Sequence, residues 1–254
     1  MSWDERQRAM LAEMGFRVPA VSLAGAEAVI EDEPEAINIA PPAPPSVMRV
    51  AVSAAQPSAP SSFGGLDLAA LRDAVSACRA CGLGDQRRHA VFGGGALRQA
   101  QWLVVTDPAD EADDMAGEAF VGDAGRLLDR MLLAAGQRRT GRTADELATA
   151  FVTPIVKCRP PRGRPAQPAE LDACEAVLAR QVELLQPRLV LAMGLQAARR
   201  LTGLAEPLGR LRGRVHNWRG LPLVVTYAPA YLLRSPADKA GAWDDLCLAR
   251  KAAT

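Results

Sequence analysis

The sequence predicts an α/β fold built on a mostly parallel sheet with helices on both faces. Three observations predict it. Four short, unbroken apolar runs, Trp102–Val105, Phe151–Val156, Leu189–Met193 and Leu223–Thr226, read as strands buried on both sides. Helical patterns lie between them, and strands that alternate with helices favour parallel pairing through crossovers. The chain has 254 residues, 49% of them hydrophobic, which is enough for one sizeable core with appendages.

Three zones follow in order. Residues 1–19 hold a short amphipathic element: Ser2 is a helix cap, Gly15 a helix end, and Trp3, Met10, Leu11, Met14 and Phe16 are apolar anchors. Residues 20–62 read as a disordered Pro/Ala-rich linker, with Pro41-Pro42-Ala43-Pro44-Pro45 and Pro57-Ser58-Ala59-Pro60. Prolines at that density favour an extended chain over regular structure. Residues 63–254 carry the core. Its helices are expected at Ala124–Ala135, where Leu127, Leu128, Met131 and Leu132 recur at helical spacing, and at Pro168–Leu185, which opens on proline and an acidic first turn. Leu195–Leu201 and Pro236–Ala249 complete the set.

Composition narrows the function. The net charge of +1 gives no global signal for nucleic acid or membrane. No stretch approaches the roughly 20 apolar residues needed to span a bilayer, and the start Met1-Ser2-Trp3-Asp4-Glu5-Arg6 is unlike a secretory signal. A soluble, cytoplasmic protein is expected. In that reducing setting five cysteines point to metal rather than disulfides.

Cys78-Arg79-Ala80-Cys81 is a C-x2-C pair that chelates from one turn; Cys158 follows a predicted strand and Cys174 lies early in a predicted helix. Four thiolates suit either zinc or an iron–sulfur cluster, and the residues alone leave both open. Cys247, beside Leu246, Leu248 and Trp243, reads as a small apolar core residue.

These cysteines recur among further motifs: Val91-Phe92-Gly93, Phe120-Val121-Gly122-Asp123-Ala124-Gly125, Val156-Lys157-Cys158-Arg159-Pro160-Pro161, Ala192-Met193-Gly194 and Pro229-Ala230-Tyr231-Leu232-Leu233-Arg234. In this order they resemble the family 4 uracil-DNA glycosylases over nearly all of residues 66–250. The resemblance implies a three-layer α/β/α glycosylase fold and a [4Fe-4S] cluster on Cys78, Cys81, Cys158 and Cys174. It also implies a base pocket, and here the chain departs from the pattern. The family's Gly-Glu-Ala-Pro-Gly loop is Thr106-Asp107-Pro108-Ala109-Asp110, which leaves Asp107 as the carboxylate. The uracil-reading Asn falls on Pro154, which has neither side-chain donor nor backbone N–H. The His of His-Pro-Ala falls on Ala228, while the stacking aromatic is kept as Phe120. Loss of base reader and imidazole predicts little activity.

Lys157, Arg159, Arg162, Arg164 and Arg234 are candidate DNA contacts; a second group is Arg199, Arg200, Arg210, Arg212, Arg214 and Arg219. The N-terminal segment and the stretch Ser235–Cys247 resemble parts of the DNA polymerase III psi subunit. Together these features lead to an expected non-catalytic replisome adaptor. Its partners would be clamp-loader ATPase subunits, held by the 1–19 peptide, and a chi-type subunit that contacts single-strand-binding protein. The alternatives are a divergent family 4 uracil-DNA glycosylase in base excision repair and an iron–sulfur DNA-binding protein without either role.

Overall fold

The computed structural model describes residues 63–139 and 149–253, all within the unit Ala54–Thr254. The peptide 1–19, with Trp3, Met10, Leu11, Met14 and Phe16, and the linker 20–62 lie outside the described residues.

In chain order the elements are α1 (Leu68–Ser76), β1 (Gly94–Gly95), β2 (Trp102–Thr106), α2 (Glu111–Ala116), α3 (Gly122–Ala134), β3 (Ala150–Pro154) and α4 (Pro168–Leu185). They continue with β4 (Leu189–Met193), α5 (Leu195–Thr202), α6 (Leu208–Leu211), β5 (Val215–Trp218), β6 (Leu221–Thr226), α7 (Pro229–Arg234) and α8 (Lys239–Ala252). The sheet order is β1-β3-β2-β4-β6-β5. The four central strands are parallel: Val104 lies opposite Val152 on one side and Leu191 on the other, and Leu191 opposite Val224. The two edge strands, β1 and β5, run antiparallel to their neighbours.

Because successive strand residues point to opposite faces, each central strand feeds two cores. Leu103, Val105, Phe151, Val190 and Ala192 face a layer made by α1, α4 and α5, through Leu71, Val75, Val177, Leu178 and Leu201. Trp102, Val104, Val152, Leu191 and Met193 face a second layer made by α3, α7 and α8, through Leu128, Leu132, Leu232 and Leu246. Leu128 and Leu132, one turn apart on α3, are fully buried. Burial of each such side chain contributes roughly 1.5–3 kcal/mol. The result is the expected three-layer α/β/α fold.

The boundaries move where backbone chemistry overrides apolar pattern. β3 ends at Pro154 rather than Val156, and the buried Ile155 and Val156 pack beneath the α1/α4 layer while the chain leaves the sheet. α8 begins at Lys239 because Pro236–Asp238 form a 3₁₀ turn. No helix among the described residues is long and apolar enough to cross a membrane.

Candidate functional site

β2 sits between β3 and β4. The chain leaves β2 toward β3 and returns through α4 to β4 on the other side. Loops that part in this way leave a crevice beyond the carboxyl ends of the strands, where open α/β sheets bind ligands. Asp107, Asp110, Glu111, Arg159, Arg164 and Gln196 line a cleft of about 290 Å³ at this place.

Asp107 directly follows β2, and its N–H donates to the Met193 carbonyl (3.2 Å). Its carboxylate turns to the start of α5: Oδ1 accepts from the Ala197 N–H at 2.9 Å, and the N–H groups of Gln196 and Leu195 also bear on it. Burial pushes the Asp107 carboxyl above its ordinary value, against the opposing pull of those three amides. The approach depends on Gly194, at φ +105°, where a Cβ would overlap the carboxylate. A glycine at the strand-to-helix turn thus makes room for the acid from the neighbouring strand.

Of the other expected pocket residues, Pro154 and Ala228 lie at or just beyond the carboxyl ends of β3 and β6, and Phe120 in the connection between α2 and α3. Pro154 is the buried last residue of β3, paired with Thr106, and its carbonyl accepts from Lys157 Nζ at 2.7 Å. Ala228 follows β6 as the N-cap of α7 and contributes no side-chain hydrogen bond to the cap. Phe120 precedes α3 with a backbone φ of +61° and packs against the α3/α7/α8 layer. Beside Ala228 the structure adds a stack that the sequence reading missed. Tyr227 lies on Tyr231 with ring centroids 5.0 Å apart and takes the Arg212 guanidinium over its face at 3.9 Å. Arg212 in turn donates to the buried Asp245 at 2.6 Å. The two tyrosines of the chain stand four residues apart, one helical turn, and that spacing was the available signal. His216 is on β5 with Nε2 2.7 Å from the Leu211 carbonyl.

The structure brings four cysteines to one layer. Cys78 follows α1, Cys81 caps the 3₁₀ turn Gly82–Asp85, Cys158 follows β3 and Cys174 is on α4; all four join the α1/α4/α5 core. Cys247 is on α8, which packs against the opposite face, and is partly buried. Burial, with Cys81 and Cys78 adding, pushes the Cys158 thiol up, and burial pushes Cys174 to about 11. Arg87 Nη1 donates to Cys158 Sγ at 2.9 Å, and Arg87 Nη2 to the Ser76 carbonyl at 2.5 Å. The backbone N–H groups of Lys157 and Ala80 donate to Cys174 Sγ (3.3 Å) and Cys78 Sγ (3.5 Å). Among the described residues no three His, Cys, Asp or Glu side chains are grouped as ligands of a single ion. Donors aimed at sulfur, from a cation and two amides, fit thiolates that carry charge. With their thiols pushed up by burial, Cys158 and Cys174 stay protonated unless a metal displaces the proton.

The arginines divide. Arg159 pairs with Glu111 (3.2 Å) and Arg164 with Glu170 through two bonds (2.9 and 2.5 Å). Arg162 and Arg234 are exposed. Lys157, expected at DNA, is instead fully buried with Nζ on Thr153 Oγ1 and the Pro154 carbonyl, so it cannot reach a phosphate. Of the second group, Arg200 and Arg219 pair with Glu175, Arg212 with Asp245 and Arg214 with Glu206.

Comparison with known proteins gives the family. The model of the uracil DNA glycosylase superfamily matches residues 92–247. The type-4 uracil-DNA glycosylase of Pyrobaculum aerophilum is 35% identical over 191 residues, covering 72% of this chain and 93% of that protein. Those of Saccharolobus solfataricus (32% over 179 residues; 67% and 78%) and Thermotoga maritima (34% over 167 residues; 65% and 82%) match similarly. These relatives overturn the expected replisome adaptor with its clamp-loader and chi-type partners. The family match spans residues 92–247, most of the folded domain, and the relatives that share it are uracil-DNA glycosylases. The short psi-like segments at the ends misled the reading because brief apolar stretches match many proteins by composition alone. By these matches, and by the parallel sheet that carries them, the chain belongs to the uracil DNA glycosylase superfamily, in its type-4 family.

Proposed function

We propose that the chain is a type-4 DNA glycosylase that releases uracil from DNA, using the domain 63–254 with a [4Fe-4S] cluster on Cys78, Cys81, Cys158 and Cys174. The observation that carries the reading is the 35% identity over 93% of a type-4 uracil-DNA glycosylase. A half-buried carboxylate at the β2 end of the strand-end cleft, held on the first amides of α5, supports it. In the reaction a water oxygen bonds to the sugar C1′ while the bond from C1′ to the base breaks. The electron pair leaves with the base, and the water's proton ends there. Asp107 is the residue to orient that water and to offset positive charge at the sugar. Phe120 is the residue to stack on a base turned out of the helix. When bound, the cluster supplies iron–thiolate bonds that join the end of α1, the segment after β3 and α4. The exposed Arg162 and Arg234 are offered to phosphates.

Two positions set this chain apart in that reading. Pro154 and Ala228 stand where the family resemblance expects an amide and an imidazole, so base choice rests on pocket shape and stacking rather than on a side-chain amide. Slower release and a wider range of deaminated bases follow. The test is a single-turnover assay of the full chain on single- and double-stranded DNA carrying uracil, with hypoxanthine and xanthine substrates in parallel. Abasic product above a buffer control on uracil DNA is expected. Its absence from both uracil substrates would sink the proposal.

A further inference from the structure

We propose that Asp113 and Arg139 are positioning residues for base release, acting through Phe120: together they hold its backbone in the left-handed region and so fix where its ring points. The inference rests on the glycosylase reading above for what the ring does. The conformation itself is a feature of the fold.

Phe120 has φ +61°. A bulky side chain is a genuine outlier there, and such strain persists only where the surroundings over-determine it. The neighbours Gly117 and Gly122 are also left-handed, at φ +72° and +77°, but glycine adopts this region freely. A glycine at position 120 would make the same turn with less strain. Phe120 is only half-buried, so core packing does not by itself demand the ring.

Three groups hold it. From one side, the buried Asp113 on α2 accepts the Val121 N–H at 2.9 Å; Asp113 is itself fixed by its own N–H on Asp110 Oδ1 (2.9 Å). From the other side, Arg139 donates through Nη1 to the Ala119 carbonyl (2.8 Å) and through Nη2 to the Phe120 carbonyl (3.2 Å). Arg139 is anchored by Nε to Asp129 Oδ1 at 2.6 Å, on α3. Beneath, Gly125 lets α3 lie against the Phe120 carbonyl, where a Cβ would collide. Two carbonyls of one loop turned to one guanidinium, with the next amide on a buried carboxylate, fix the peptide planes on both sides of Phe120. Neither Asp113 nor Arg139 lines the strand-end cleft.

The test is a double-mutant cycle read by single-turnover release of uracil, with melting temperature and a crystal structure of Arg139→Met beside it. Phe120→Ala, Arg139→Met and Asp113→Ala each slow release by about 10- to 100-fold, the range expected when a substrate contact is misplaced. Arg139→Lys, which keeps one donor, falls between Arg139→Met and the unaltered chain. In the Phe120→Ala background Arg139→Met adds no more than about a twofold loss, because groups that act through one residue are not additive. The crystal structure of Arg139→Met shows Phe120 out of the left-handed region. An equal loss from Arg139→Met in both backgrounds makes the arginine a general structural group and overturns the proposal. So does Phe120 unmoved in that crystal structure. An unaltered chain that releases no uracil sinks the glycosylase reading, while the crystal structure still decides the clamp.

Discussion

At the scale of single residues the site turns on Asp107. Among the described residues its carboxylate has no cation partner; it lies on the first amides of α5. Partial positive charge at a helix start favours the anion, while burial disfavours it, and burial wins. The consequence for catalysis has a definite sign. A carboxylate that orients water works ionised, so the proposed release of uracil is expected to rise with pH through a value above the ordinary 3.8 of an aspartate. Asp107→Asn removes that acid limb and slows release by about 10²-fold, the lower range for loss of a general base. Stability runs the other way. With the folded value raised, Asp107 leaves the fold most stable below its ordinary value, and that contribution is lost as pH rises through the folded one. Single-turnover rates and urea midpoints measured across the acid range on both proteins check the two signs together. A pH–rate profile of unchanged shape in Asp107→Asn would remove Asp107 from the chemistry.

At the scale of elements, α4 couples the cleft to the cysteines. It starts at Pro168, with Gln167 and Glu170 in a capping box, and two turns later it presents Cys174. Glu170 also takes both bonds from Arg164, whose loop borders the cleft. Glu170→Ala removes the box and the pair, and loss of the box alone costs about 1 kcal/mol. The Arg164 guanidinium holds the Glu170 carboxyl below its ordinary 4.5, so this support is present above 4.5 and is lost as pH falls through the lowered value. Urea denaturation at neutral and at acid pH therefore shows a gap between the unaltered chain and Glu170→Ala that narrows on the acid side. The bounds of α4 and β4 were legible in the sequence because proline starts the one and unbroken apolar residues fill the other. β1 was not, since Gly94-Gly95 has no side chains to form a pattern, and neither was β5, whose Val215-His216-Asn217-Trp218 alternates in burial only between half-buried and exposed. The same limit holds at the site. Asp107, Phe120, Pro154 and Ala228 were found by their places in motifs. That Asp107 rests on α5, or that Phe120 is left-handed, depends on chain crossings and torsions that no residue type records.

At the scale of the molecule, the cysteines decide whether the fold forms one cooperative unit with the proposed cluster. Cys78 and Cys81 come from the segment after α1, Cys158 from the exit of β3 and Cys174 from α4, and all lie on the α1/α4/α5 layer. A group bound to all four closes the long loop between Cys81 and Cys158. Fixing such a loop removes conformational freedom from the unfolded chain, so metal binding becomes folding free energy. Arg87 reinforces the closure by bridging Cys158 to the end of α1. The proposed cluster predicts that protein purified without oxygen carries about four irons per chain, the content of a Cys₄-bound [4Fe-4S] cluster. Serine at position 78, 81, 158 or 174 is expected to lower iron content and melting temperature together, the latter by about 2–4 °C for each kcal/mol the staple contributes. Cys247→Ser, on the opposite face, changes neither by more than a small fraction of that. Stoichiometric zinc without labile sulfide in anaerobically prepared protein would replace the cluster with a mononuclear site. Serine variants that lose their metal yet melt where the unaltered chain does would show that the α1/α4/α5 layer stands by apolar packing alone.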